Sequence, residues 1–280
     1  MDHHFRAFSF VDRITSVEPG VRIRGRYAIP AGIDSFPSSL VAESVGQLAA
    51  WSAMAAVNFE VRPVAGLAGN IELLAPVKPG EILELAADLE TADREAVAYG
   101  GTAHVDGKLV IRLEHCVGPM VPLEDFDDPQ ALRDRFALLC GEGATPGAFA
   151  GVPLLVLERT GGEKGTSVRA TLQVPTEAAI FADHFPRRPV FPGTLLMHKN
   201  LELAAALAGE LPPPAAGGRW ALRSVSDVKI RTFTPPGEKL EIEVKLEECA
   251  TDAATLMVEA RNARRSVGGA RVNLVAEARR

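Results

Sequence analysis

The chain repeats itself, and a chain that does so over its length folds as two copies of one unit. Phe10-Val-Asp-Arg-Ile-Thr resembles Val156-Leu-Glu-Arg-Thr, an apolar stretch ending in acid-Arg. Ser35-Phe-Pro-Ser-Ser-Leu-Val-Ala-Glu resembles Val190-Phe-Pro-Gly-Thr-Leu-Leu-Met-His. Lys78-Pro-Gly-Glu-Ile-Leu-Glu-Leu resembles Pro235-Pro-Gly-Glu-Lys-Leu-Glu-Ile. Ala103-His-Val-Asp-Gly-Lys-Leu-Val resembles Arg265-Ser-Val-Gly-Gly-Ala-Arg-Val. The order is the same in both halves, which one chance match would not give.

Each half opens with a strand, continues with one long apolar helix near 37–57 or 192–209, and closes with three or four strands. The helices are apolar nearly all round, so they are expected to be buried against a sheet. Residues 81–90 and 238–247 alternate as long half-exposed strands. Asp106-Gly107 and Gly268-Gly269 read as hairpin turns, because a tight hairpin needs positive φ. Asp128-Pro129 reads as the N-cap and first residue of a short helix to about Leu139. A Gly/Ala-rich linker over 141–151 follows, which divides the chain into 1–145 and 146–280. The fold class is α+β, one helix wrapped by an antiparallel sheet, twice.

Bulk properties narrow the function. Of the 280 residues 47% are hydrophobic and 24% charged, as in an ordinary globular protein. A net charge of −6 argues against nucleic acid as a partner. Cys116, Cys140 and Cys249 are too far apart for a metal-ligand set and too few for a disulfide framework. The N-terminus has no apolar signal core. The longest apolar run, Leu48 to Phe59, is too short to span a bilayer. The expectation is a cytoplasmic protein with no membrane contact.

Residues 183–193, Asp-His-Phe-Pro-Arg-Arg-Pro-Val-Phe-Pro-Gly, carry the chemistry. Pro186, Pro189 and Pro192 stiffen a loop that delivers His184 to a helix N-terminus, a suitable place for acid/base work. His184-Phe-Pro-x-x-Pro-Val-x-Pro-Gly193 resembles the signature of the bacterial 3-hydroxyacyl-acyl-carrier-protein dehydratases, which have the hot-dog fold. The opening Phe-Val-Asp-Arg and the later Pro-Pro-Gly-Glu are similar to the same family. The resemblance implies a double hot-dog.

In that family the site lies between two hot-dogs. The loop histidine comes from one, and a helix carboxylate comes from the other, fourteen residues after the position of that partner's own histidine. Fourteen residues after His184 stands His198, not an acid. The matching residue of the first half, at the offset that also sets Pro37 against Pro192, is Glu43. The first half has no loop histidine. The resemblance therefore implies one complete site, His184 with Glu43, and one defunct site around His198. It also implies Gln47 as support for the acid, the Gly193 N–H as donor to the thioester oxygen, and the Val190 carbonyl as the group orienting the imidazole. Phe185 and Pro192 are further substrate contacts. The acyl chain is expected between the two helices, past Leu40, Leu48, Leu195 and Leu201.

The activity implied is dehydration of a 3-hydroxyacyl thioester, or the reverse hydration, on acyl carrier protein or coenzyme A, with neither metal nor redox cofactor. His198 and Glu202 have metal-pair spacing but no third ligand. Arg187 and Arg188 replace the usual small residue and histidine of the signature. They are either a landing point for an acidic carrier protein or a phosphopantetheine phosphate, or solvated loop residues. A thioesterase of the same fold and a non-catalytic acyl-binding module are the competing readings. The double hot-dog contains its own dimer and can stand alone or pair again as a homodimer.

Overall fold

A computed structural model describes residues 4–214 and 217–278. Among them the first half contains β1 (Arg13–Glu18), β2 (Arg22–Ala28), α1 (Ser38–Ala56), β3 (Val61–Pro63), β4 (Leu67–Leu73), β5 (Ile82–Ala92), β6 (Ala96–Val105) and β7 (Lys108–Pro122). Helix α2 (Pro129–Cys140) lies between the halves. The second half contains β8 (Leu157–Glu163), β9 (Ser167–Gln173), α3 (Gly193–Ala208), β10 (Arg219–Ile230), β11 (Lys239–Cys249), β12 (Ala253–Arg261) and β13 (Ser266–Glu277).

The strands form one antiparallel sheet in the order β1-β2-β5-β6-β7-β4-β10-β13-β12-β11-β9-β8, with β3 paired to β7 off that path. Read from either end, the order is the same arrangement of a six-stranded unit. The units join where β4 pairs with β10, Ile71 opposite Val225 and Ala68 opposite Val228. Each unit wraps one helix, and the two helices touch each other. This is the double hot-dog.

Alternation drives the wrapping. In β5, Leu83, Leu85 and Ala87 are buried while Ile82 and Glu84 face out; in β11, Leu240, Ile242 and Val244 are buried between exposed acids and lysines. Helix α1 lies so close to its sheet that a Cβ on Gly101 would come within 2.4 Å of Val45. Helix α2 begins as the sequence suggests, the Asp128 carboxylate accepting from Gln130 N and Ala131 N. One hairpin reading fails. Asp106 and Gly107 do turn with positive φ, but Gly268 and Gly269 lie inside β13, opposite Ala260 and Glu259, and the chain turns earlier, at 262–265. Asn262 makes that turn by accepting from the backbone N–H groups of Arg264 and Arg265. No described helix is long and apolar enough to cross a membrane.

Candidate active site

The loop before α3 is closed on itself. Val190 N–H donates to the His184 carbonyl at 2.9 Å, and the Val190 carbonyl lies 2.8 Å from His184 Nδ1. A carbonyl only accepts, so Nδ1 carries the proton and the lone pair of the neutral ring sits on Nε2. Burial pushes His184 below its ordinary value of 6.5, and the Arg62 charge adds to that; Glu43 and the Val190 bond pull the other way. The ring stacks on Phe185 at 4.2 Å and meets the edge of Phe8 at 5.7 Å.

Glu43 comes from α1 of the other half. Its Oε1 accepts from Gln47 Nε2 at 2.9 Å, one helical turn on. Its Oε2 accepts from Thr194 Oγ1 at 2.8 Å, across the interface between the helices. Gln47 is tied in turn to the N-terminal segment, donating to the Phe8 carbonyl and accepting from Phe10 N–H. Glu43, Gln47, His184, Phe185, Val190 and Gly193 all line one cavity. Gly193 opens α3, and a Cβ there would stand 2.5 Å from Ile230. Only glycine lets the helix start this near β10.

Several expectations need correction. Pro192 lies outside the cavity lining; it is the N-cap of α3, its carbonyl accepting from Leu195 and Leu196. Of the four leucines expected along the acyl path only Leu201 lines the cavity, since Leu40, Leu48 and Leu195 are wholly buried in the core. The cavity runs instead past small and flexible residues such as Gly46, Ala50, Met54 and Met197. Arg187 is bonded within the chain, to the Glu124 carbonyl and to Asp128. Arg188 lies over Phe126 and Phe233, each ring 5.3 Å away. Both therefore pack the histidine loop down, rather than being wholly solvated.

The second helix pair is different. His198 Nε2 lies 3.0 Å from Glu202 of its own helix, and Lys199 pairs with the same carboxylate. Ser39, which stands to His198 as Thr194 stands to Glu43, is buried with no hydrogen-bond partner among the described residues. No described group of three or more metal-ligating side chains accompanies His198 and Glu202.

Three features were missed from sequence. Thr194 had a signal, since Ser39 puts a hydroxyl at the equivalent place. The N-terminal segment had none: Asp183, beside His184, accepts from the N–H groups of Phe5 and Phe8 and draws it over the site. Nor did Arg62 of β3, whose side chain is 13% exposed and whose guanidinium lies 3.8 Å over the Phe185 ring.

The fold defines a class, the hot-dog proteins. Solved structures agree on the fold. A putative oleoyl thioesterase of Lactobacillus plantarum superposes with a TM-score of 0.61 at 10% identity, over 93% of this chain and 98% of that one. An acyl-ACP thioesterase of Bacteroides thetaiotaomicron gives 0.53 at 12%, over 90% and 97%. The ApeI-like family, described as ApeI dehydratase, matches residues 160–268. The 3-hydroxyacyl-[acyl-carrier-protein] dehydratase FabZ of Bacillus velezensis is 36% identical over 124 residues, 40% of this chain and 86% of that protein. FabZ of Albidiferax ferrireducens is 32% identical over 97 residues, 34% of this chain and 65% of that protein, and the match thus spans just under two thirds of its length. The chain belongs to the 3-hydroxyacyl-[acyl-carrier-protein] dehydratase family.

Proposed function

We propose that this chain dehydrates 3-hydroxyacyl thioesters, reversibly, at a single site made by His184 and Glu43. The observation that supports it best is that these two side chains, from opposite halves, line one cavity. Dehydration needs a base at C2 and a proton donor at the C3 oxygen. His184 Nε2 takes the C2 proton. The C2 electron pair forms the double bond as the C3–O bond breaks, and the departing hydroxyl leaves as water with a proton delivered at Glu43. Transfer of the proton from imidazolium back to the Glu43 carboxylate restores the site. Gly193 N–H, at the positive end of the 16-residue α3, donates to the thioester oxygen as enolate charge develops. Gln47 and Thr194 fix the carboxyl plane. Substrates are acyl groups on acyl carrier protein or coenzyme A.

The test follows the enoyl-thioester absorbance with 3-hydroxyacyl and 2-enoyl thioesters as substrates. His184→Ala and Glu43→Gln each lower kcat/KM by about 10²-fold or more, and His198→Ala leaves it within about twofold. Release of free thiol by the wild type, without enoyl product, identifies a thioesterase instead. An equal loss in His198→Ala removes the single-site reading.

A further inference from the structure

Arg62 has no role in the mechanism above, yet among the described residues it is the one guanidinium in the cavity lining. It stands on β3, where the charges of Asp127 and Glu43 act on it and its own charge acts on His184. Burial draws it down to about 10, against the opposing pull of Asp127 and Glu43, so it is a cation at neutral pH. Among the described residues its Nε and Nη1 are fully enclosed and have no hydrogen-bond partner. The nearest acceptor, Asp127 Oδ2, is 3.8 Å from Nη1, an ion pair without a hydrogen bond. Asp127 is occupied elsewhere, accepting from Asp128 N–H and facing His4 at 3.3 Å. Unsatisfied guanidinium N–H groups are costly to hold, and Nη2, which is not among the enclosed atoms, is the one that a molecule bound in the cavity can satisfy.

We infer that Arg62 is a substrate-binding residue that donates to a neutral oxygen of the bound thioester, a carbonyl or hydroxyl beyond those at C1 and C3. The inference rests on the proposed substrate class. Asp127 is already the counter-ion of this single cation, so a neutral oxygen suits it better than a second anion. The face of the guanidinium lies on Phe185, the residue that follows the base, which leaves Nη2, outside the enclosed Nε and Nη1, for an in-plane hydrogen bond beside the histidine loop. Two parts of a thioester carry such an oxygen: the first amide of the carrier arm, and an oxygen substituent further along the acyl chain.

Calorimetric binding of saturated, unreactive thioesters separates these without requiring turnover. One pair is hexanoyl S-ethyl and hexanoyl N-acetylcysteamine thioester, which differ in the arm amide. The other is hexanoyl and 5-oxohexanoyl N-acetylcysteamine thioester, which differ in a chain oxygen. The wild type binds the oxygen-bearing member of one pair about tenfold tighter or more, and Arg62→Met abolishes that preference while leaving the other ratio unchanged. Preference in the first pair assigns the arm, and in the second the chain. Arg62→Met/Asp127→Asn gives the same result without leaving Asp127 unpaired, and Arg62→Lys restores only part of it. Absence of a preference in the wild type, or equal weakening of all four ligands in the variants, overturns the inference. A wild type that binds these ligands but dehydrates no 3-hydroxyacyl thioester refutes the proposed function alone.

Discussion

Two hydrogen bonds define where the Glu43 carboxyl points, and they come from different halves. Gln47 holds one oxygen from the same helix; Thr194 holds the other from the facing helix. A buried hydrogen bond contributes about 1 kcal/mol, which is roughly fivefold in rate when the bond positions a reacting group. Thr194→Val is therefore expected to lower kcat/KM about fivefold, and Thr194→Ser to keep most of it. Equal activity of the valine variant and the wild type would mean that Gln47 alone suffices. His184 gives a second prediction. Its folded-state pKa is depressed, mainly by burial, so the base remains unprotonated below the pH at which an ordinary histidine charges. The acid limb of the kcat/KM profile then has its midpoint below 6.5, and loss of activity at or above that value would contradict a buried base. The same depression makes the folded state a poorer proton acceptor than the unfolded chain. His184 thus lends stability above the unfolded pKa, and that contribution is lost as pH falls through the folded one.

At the scale of elements, legibility followed periodicity. The two helices, the two long strands and the capped α2 stand within a few residues of their expected places, because burial period and capping chemistry are local properties. The expected pairing of Glu43 with His184 comes from the family resemblance, and the offset between the repeats locates the acid. What failed depended on register or on neighbours. The glycines at 268 and 269 look like a turn but sit in a strand, since Asn262 turns the chain first. Leu40, Leu48 and Leu195 have the same helical period as cavity residues, and only the packing direction tells a core face from a ligand face. The segment carrying Phe5 and Phe8 is placed by Asp183, from far along the chain, which no local pattern can announce. The closeness of helix to sheet has its own test. Gly101→Ala would set a Cβ 2.4 Å from Val45 and 2.6 Å from the Ala86 carbonyl, and a central strand and a buried helix have little room to give. We expect a destabilisation of about 1–3 kcal/mol in urea unfolding. Gly32→Ala, where a Cβ meets nothing within 4 Å, should stay within about 0.5 kcal/mol; similar losses in both would locate the Gly101 effect outside this contact.

For the whole molecule, the proposed single site means that fusing two hot-dogs lets each lose half of a site. The second half has the histidine loop and has His198 at the place that matches Glu43; the first has Glu43 and no loop histidine. Thr194 serves Glu43, while its counterpart Ser39 is left without a partner. Covalent connection ensures that the complementary halves always meet, so selection for one site can proceed while the other decays. That arrangement makes the halves interdependent in stability as well. Separating them would expose β4 along the edge that pairs with β10, with Ile71 and Ala68 at the seam, and would uncover the face of α1 that meets α3. An unpaired strand beside a newly exposed apolar surface invites aggregation. Residues 1–145 expressed alone are expected to be insoluble or self-associated, and a mixture with residues 146–280 to recover folded protein and activity. Size-exclusion chromatography with a thermal melt decides it. A soluble monomeric first half with a cooperative transition would mean that its core is sufficient without the second, and that the seam contributes to the site but not to the fold.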